Sequence, residues 1–201
     1  MTCHAQAAEL LHPLVSPGDT LLDVGCGSGY FFHSLKKREI PANYFGIDPT
    51  SRFISLARKY LPLHGLNPAQ LHELRIEDTR AEVDHVVCIN VMSNIDNYQK
   101  PLERMLLAAR KSVILRESCH EYASCSYVCD NFLDAGVLLN VYVNTYGIED
   151  ITGFITRYGF DVQVVVDDRA NNDVEYVIGH PHYWKFLVCT RKTNKIEGLI
   201  T

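Results

Sequence analysis

The stretch Leu22-Asp-Val-Gly-Cys-Gly-Ser-Gly-Tyr30 decides the fold of this chain. An apolar run ends here, three glycines follow at alternate positions, and a helix-like pattern begins. Glycine allows positive φ and lets a ligand lie against the backbone. The helix that follows offers free N–H groups to an anion. The sequence therefore predicts a ligand-binding turn between a strand and a helix.

Strand-like and helix-like stretches alternate on both sides of this turn, which indicates βαβ units and a mainly parallel sheet of the doubly wound, Rossmann-like α/β class. Such sheets bind ligands beyond the carboxyl ends of their strands. The predicted strands cover residues 20–24, 44–47, 71–76, 85–89, 112–115, 161–166 and 184–190. The predicted helices cover residues 5–14, 30–37, 51–60, 101–109 and 148–158. In the third helix, periodicity predicts that Phe53, Leu56, Ala57 and Tyr60 face inward.

Composition narrows the class of protein and its partners. The 201 residues carry a net charge of -5 with histidines neutral, so no basic excess predicts a nucleic-acid partner. No apolar run is long enough to span a bilayer, and the start lacks the pattern of a secretory signal. The seven cysteines are an odd number without a compact framework. We therefore expect reduced thiols and a cytoplasmic location, with no membrane partner.

The spacing of the glycines separates two classes of ligand. A dinucleotide requires G-x-G-x-x-G, but Tyr30 occupies the last glycine position and Gly29 comes one residue early. The string instead resembles the first motif of class I S-adenosylmethionine-dependent methyltransferases. That resemblance implies that Asp23 and the backbone at Gly25 face the methionine ammonium. It also implies that the loop from Gly27 to Gly29 lies beneath the methionine end of the cofactor.

Acidic and polar residues farther along the chain extend the resemblance. In the family, an acid at the position of Asp48 accepts both ribose hydroxyls. An acid after the third strand accepts the adenine amino group, with Asp78 the first choice and Glu77 the second. Asn90 stands where the fourth strand passes the methionine part. These positions predict cofactor binding by Asp23, Gly25, Gly27, Gly29, Asp48, Asp78 and Asn90.

The resemblance runs from about Leu10 to Lys192. It implies one methyltransferase domain over residues 1–201, with a seven-stranded, mainly parallel sheet whose last strand is antiparallel. It implies S-adenosyl-L-methionine as cofactor and methyl transfer, which we expect to be to a small molecule. A non-catalytic cofactor-binding module and an NAD-dependent oxidoreductase are the alternatives, and the oligomeric state stays open.

The family has no universal catalytic residue, so none is assigned. Asn90-Val-Met-Ser lacks the Asn/Asp-Pro-Pro-Tyr of enzymes that methylate exocyclic amines and amides. Asn90 and Glu117 form a poor magnesium set. Cys119, His120, Cys125 and Cys129 lack a C-x-x-C pair, so buried thiols are favoured over a metal site.

Two segments are predicted to form the walls of the acceptor pocket: Asp167–His182 and Cys119–Tyr146. In the first, one of His180 and His182 could be a base near neutral pH, although a polar loop with exposed histidines fits the pattern better. In the second, aromatic side chains either line a lid or belong to the core. These aromatics are Tyr127, Phe132, Tyr142 and Tyr146.

Overall fold

A computed structural model describes residues 1–130 and 139–192. The strands are β1 (Thr20–Val24), β2 (Asn43–Asp48), β3 (Leu71–Glu73), β4 (Val83–Ile89), β5 (Ala109–His120), β6 (Ser124–Cys129), β7 (Asn140–Gly147), β8 (Phe160–Val166), β9 (Glu175–Val177), β10 (His180–His182) and β11 (Trp184–Arg191). The helices are α1 (Cys3–Leu11), α2 (Tyr30–Lys37), α3 (Ser51–Tyr60), α4 (Gln99–Ala108) and α5 (Ile148–Arg157). Among the described residues, no helix is both long and apolar enough to cross a membrane.

The main sheet has the strand order β3-β2-β1-β4-β5-β11-β8. The first five strands are parallel, whereas β11 runs antiparallel to both β5 and β8. The predicted Rossmann-like order of seven strands with an antiparallel last strand is thereby confirmed, and the β6–β7 hairpin, paired to β5 through β7, adds two strands to the sheet. The carboxyl ends of β1, β2, β4 and β5 meet at one edge, and the strand order reverses between β1 and β4.

Helices cover both faces of this sheet. On one face, α4 and α5 place Leu102, Met105, Ile151 and Ile155 in one buried cluster. On the other face, α1, α2 and α3 contribute to a second buried cluster with β1, β4 and β5. Since both faces are covered, the middle residues of the central strands are apolar and buried, as in Val86–Cys88 of β4 and Val113–Leu115 of β5.

The predicted inward face of α3 is wrong for three residues. Ala57 is buried, but Phe53, Leu56 and Tyr60 are 45%, 37% and 49% exposed, and Ile54 is the other buried residue. The physical reason is the position of α3 at the edge of the sheet. There it packs on β2 and β3, the two strands at that edge. Since β3 has three residues, the sheet covers only a narrow stripe of the helix.

Candidate functional site

The glycine loop, residues 25–29, joins the end of β1 to the start of α2. Gly25, Gly27 and Gly29 have φ of 72°, 53° and 94°, a region that side chains rarely adopt. A Cβ on Gly25 would lie 2.3 Å from Val91 Cγ2, whereas a Cβ on Gly27 would meet nothing within 4 Å. The loop is therefore packed at one end and open at its middle, where a ligand can lie against the backbone.

Asp48, at the carboxyl end of β2, holds this loop in place. Its Oδ2 accepts the Gly27 N–H at 3.0 Å and its Oδ1 accepts the Thr50 N–H at 2.8 Å. A carboxylate has about four acceptor positions, so each oxygen keeps one for a ligand hydroxyl. Asp48 is 7% exposed, so this acceptor pair is largely shielded from solvent.

An apolar cleft of about 150 Å³ lies beside the loop and Asp48. Its lining includes Gly25, Ile47, Pro49, Ile76, Glu77 and Val91. Glu77, the second choice for the adenine amino group, lines this cleft. Asp78, the first choice, does not line the cleft, and both of these carboxyl side chains are exposed. The reason is local: β3 ends at Glu73, and residues 76–78 form a 3-10 turn.

Asp23 lies on β1 just before the glycine loop and is buried. The Tyr44 hydroxyl donates to its Oδ2 at 2.7 Å. Burial raises the pKa of the Asp23 carboxyl to about 7, because desolvation outweighs the hydrogen bond from Tyr44. His4 of α1 is close enough to interact with this carboxylate electrostatically. Asp23 is thus a buried acid that a cationic ligand group would help to ionise.

Asn90 and Arg116 link the ends of β4 and β5. Asn90 has a left-handed φ of 59°, and its N–H donates to the Arg116 carbonyl at 2.9 Å. The Arg116 side chain is 1% exposed; its Nη1 donates to Asn90 Oδ1, and its Nε donates to Asp167 Oδ2. Burial raises the pKa of Asp167, but Arg116 and the Ala170 N–H outweigh that effect and hold it below its usual value. A fully desolvated ion pair therefore supports Asn90.

Glu117 points to the opposite face from Arg116 and supports the segment that follows β4. Its carboxylate accepts the backbone N–H groups of Val91, Met92 and Ser93 at 2.9–3.1 Å, and the Ser93 hydroxyl at 2.6 Å. Burial raises the pKa of Glu117, and these donors counteract only part of the effect. Glu117 is a structural acceptor that positions the turn lining the cleft.

The two segments predicted to wall the acceptor pocket meet at the end of β5. The Cys119–Tyr146 segment contains the β6–β7 hairpin, and β7 pairs with the last residues of β5. Thr145 Oγ1 lies 2.6 Å from Ser118 Oγ and donates to the Pro181 carbonyl at 3.2 Å. Pro181 belongs to the Asp167–His182 segment, so the structure brings these two segments into contact.

The aromatic residues of the first segment have different environments. Tyr127 and Tyr142 form a ring pair with centroids 4.6 Å apart, and Tyr127 is 59% exposed. Tyr146 is buried in the core, and its hydroxyl donates to the Met92 carbonyl. Phe132, the fourth residue considered for a lid, lies outside the described residues.

His182 is 1% exposed and packs against Trp184, with ring centroids 4.9 Å apart. Its Nδ1 lies 3.2 Å from the His180 carbonyl, which can only accept, so Nδ1 carries the proton and Nε2 of the neutral ring is an acceptor. Burial lowers the pKa of His182, which keeps the ring neutral. This is the electronic state that a general base requires.

All seven cysteines are free. Cys119 is buried and Cys125 is exposed, with Cys129 between these extremes. Among residues 1–130 and 139–192, no group of three or more His, Cys, Asp or Glu side chains could hold a metal ion. In the described part of the chain, the thiols therefore do not come together to form a metal site.

Sequence reasoning missed three residues at this site: His4, Tyr44 and Trp184. Tyr44 and Asp23 occupy neighbouring strands, so the predicted β1–β2 pairing is a signal that could have revealed their contact. The Arg116–Asp167 pair spans 51 positions, and no local pattern announces it.

Comparison with known proteins agrees with this geometry. Residues 22–113 match a family model described as a methyltransferase domain, which covers β1 through the first part of β5. No curated protein matches the chain.

Several solved structures share the fold. Magnesium protoporphyrin IX methyltransferase from Synechocystis PCC 6803, solved with bound S-adenosylmethionine, is 16% identical with a TM-score of 0.62, over 94% of this chain and 80% of that one. An S-adenosylmethionine-dependent methyltransferase from Clostridium acetobutylicum is 14% identical with a TM-score of 0.66, over 96% and 93%. The CcbJ methyltransferase from Streptomyces caelestis is 9% identical with a TM-score of 0.67, over 94% and 95%. At these identities the likeness shows the fold alone.

Proposed function

We propose that the chain is a class I S-adenosylmethionine-dependent methyltransferase that methylates a small molecule; its fold and the match of residues 22–113 to a methyltransferase-domain model support the proposal. The observation that carries the proposal is the glycine loop tied to Asp48 beside the apolar cleft. We further propose that residues 1–201 act as one domain in the cytoplasm, where seven unpaired cysteines are stable.

The residues present fit the cofactor. The cleft offers apolar walls for a flat base, with Pro49 and Ile76 among its lining, and Glu77 there can accept an exocyclic amino group. Asp48 keeps acceptor positions for two ribose hydroxyls. Asp23 and Asn90 stand where the family places the methionine part. Each part of the cofactor thus has a partner of suitable chemistry.

When bound, the cofactor supplies a methyl group on a cationic sulfonium for in-line displacement by the acceptor. The chain's own contribution is alignment and control of a proton. The turn held by Glu117 and the buried Asn90–Arg116 pair fix the floor of the site. His182, neutral and with Nε2 as an acceptor, is our candidate to take a proton from an acceptor hydroxyl or amine.

Calorimetry tests cofactor choice directly. We expect S-adenosylhomocysteine to bind far more tightly than NAD or NADH and not to be displaced by either. Incubation with S-[methyl-³H]adenosylmethionine and small-molecule fractions should then yield a labelled product. Equal or tighter binding of NAD would contradict the proposal, and tight cofactor binding without turnover on any fraction would favour a non-catalytic module.

A matched pair of variants tests the adenine contact. Glu77→Gln should reduce the preference for S-adenosylhomocysteine over S-inosylhomocysteine, which lacks the exocyclic amino group, because the carboxylate acceptor is lost. Asp78→Asn serves as the control at the neighbouring exposed position. If instead Asp78→Asn reduces this preference and Glu77→Gln does not, the adenine contact belongs to Asp78, the first choice from the sequence.

A further inference from the structure

Buried polar atoms without partners mark places where a ligand completes the structure. Among the described residues, four buried side-chain atoms have no hydrogen-bond partner: Arg104 Nε, Arg116 Nη2, Asn144 Oδ1 and Trp184 Nε1. Arg104 lies on α4 and Asn144 on β7. Arg116 and Trp184, by contrast, touch each other, with the guanidinium carbon 4.3 Å from the centre of the indole ring.

Both unpartnered atoms in this contact are N–H donors. An unsatisfied buried donor costs stability, and a donor on a charged group costs more than a neutral one. Arg116 lies at the end of β5, and Trp184 opens the antiparallel strand beside it. Two such donors on adjoining side chains create a place for a ligand with acceptor oxygens.

The other donors of Arg116 are already occupied, which shapes what the ligand must be. Asp167 accepts from Nε and Asn90 accepts from Nη1, so the usual fork of two guanidinium donors is closed to a ligand. One ligand oxygen can accept a hydrogen bond from Nη2, and a second oxygen can accept one from Trp184 Nε1. A carboxylate carries two acceptor oxygens in one plane and suits this arrangement.

Charge points to the same class of ligand. Asp167 accepts from Arg116 Nε through Oδ2, and its Oδ1 accepts the backbone N–H groups of Arg169 and Ala170 at 2.9 and 2.8 Å, so Nη2 of the cationic guanidinium stays without a partner among the described residues. Burial lowers the pKa of His182, so its ring beside Trp184 is neutral and contributes no charge. A desolvated donor on a guanidinium favours an anionic oxygen group over a neutral one, because charge-assisted hydrogen bonds are the stronger ones.

We propose that Arg116 Nη2 and Trp184 Nε1 bind a carboxylate of the methyl acceptor, so that the acceptor belongs to the class of small carboxylic acids. This inference rests on the proposed methyltransferase function. Asn90 connects the carboxylate site to the cofactor, because it contacts Arg116 and stands at the end of β4. His182, the candidate base, packs against the ring of Trp184, which carries the other donor.

The single tryptophan makes the test specific, because one indole N–H resonance reports on this site. The ¹⁵N-labelled full chain, saturated with S-adenosylhomocysteine, is titrated with acetate, benzoate and 4-hydroxybenzoate, and with benzamide as a neutral counterpart. We expect a saturable shift of the indole N–H resonance with at least one carboxylate and none with benzamide. Absence of a saturable shift with all three carboxylates overturns the proposal.

Variants separate a direct contact from an indirect one. Calorimetry on Trp184→Phe, which keeps an aromatic ring and removes the N–H, should show carboxylate affinity reduced about tenfold or more, as for loss of a hydrogen bond to a charged group. S-adenosylhomocysteine affinity should stay within about twofold. Tyr176→Phe, at an aromatic residue 69% exposed on β9, is the matched control and should bind carboxylates normally. Unchanged carboxylate affinity in Trp184→Phe overturns the contact.

The carboxylate of the cofactor itself is the competing source of the same chemistry. If it occupies the site, S-adenosylhomocysteine alone shifts the indole N–H resonance and 5′-methylthioadenosine, which lacks the amino-acid part, does not. That result overturns the assignment to the acceptor while leaving the methyltransferase intact. Failure of S-adenosylhomocysteine to bind at all would instead refute the proposed function.

Discussion

Asp23→Asn should stabilise the protein at alkaline pH while weakening the cofactor site. The buried Asp23 carboxyl has its pKa raised from 3.8 to about 7 by desolvation. A raised folded-state pKa means that the folded state holds a proton that the unfolded chain has released. Stability from this proton is complete below pH 3.8 and is lost as the pH rises to about 7.

The size of the effect follows from the same values. At about 1.4 kcal/mol for each pH unit, the interval from 3.8 to about 7 corresponds to at most about 4 kcal/mol. The amide of the variant does not titrate, and its oxygen can still accept from the Tyr44 hydroxyl. The variant should therefore match the wild type near pH 4 and exceed its free energy of unfolding by several kcal/mol at pH 8.

Urea unfolding followed by circular dichroism from pH 4 to pH 8 measures this difference. Asp84→Asn is a control variant in which the change in stability at pH 8 should have the opposite sign. Burial raises the pKa of Asp84, but the Thr20 N–H and hydroxyl, each at 2.9 Å, help to hold it low, so this carboxylate stabilises the fold at neutral pH. Asp84→Asn should lose stability at pH 8. A stability difference for Asp23→Asn that does not grow between pH 4 and pH 8 would refute the reasoning.

The cofactor provides a second measurement on Asp23. Its methionine ammonium would favour the ionised carboxylate, so S-adenosylhomocysteine affinity in the wild type should fall as the pH drops below about 7. The affinity of 5′-methylthioadenosine, without the ammonium, should not follow that trend. In Asp23→Asn the affinity of S-adenosylhomocysteine should no longer follow this trend.

Three further variants test the rest of the site. Asp48→Ala should weaken S-adenosylhomocysteine binding by about 1.5–3 kcal/mol in calorimetry, since hydrogen bonds to a charged group are lost; unchanged affinity would remove Asp48 from the ribose assignment. Gly25→Ala should abolish measurable S-adenosylhomocysteine binding, because the new Cβ would lie 2.3 Å from Val91 Cγ2. Normal binding would show that the Val91 side chain can move away without cost. His182→Ala should lower turnover while leaving S-adenosylhomocysteine affinity within about twofold. It should also flatten the acid limb of the pH–rate profile, which lies below pH 6.5 because burial lowers the pKa of His182. His180→Ala is the companion variant, and wild-type turnover in both would place the acceptor site elsewhere.

The error on α3, and the open choice between two adenine acids, have local physical causes. The face of α3 was mispredicted because hydrophobic periodicity gives the apolar side of a helix, not how much of that side the sheet covers. At the adenine acid, the pattern offered two adjacent carboxylates, Glu77 and Asp78. A one-residue difference in a 3-10 turn decides which of them lines the cleft, and spacing alone cannot resolve it.

The sequence by itself determined the parts of the protein that depend on contiguous residues. The glycine loop is encoded in this way, because its backbone angles and the strand and helix around it are properties of one short segment. Asp48 follows from the next strand, since parallel neighbours end at the same edge. The fold class follows from the alternation of elements.

Only the tertiary structure decided which side chains surround Arg116. Arg116 meets Asn90 across 26 positions and Asp167 across 51, and it meets Trp184 because β11 lies between β5 and β8. Each of these residues taken alone resembles an ordinary surface or core residue. Their unpartnered donors exist because packing removes them from water, and burial is a property of the assembled fold rather than of any local stretch of sequence.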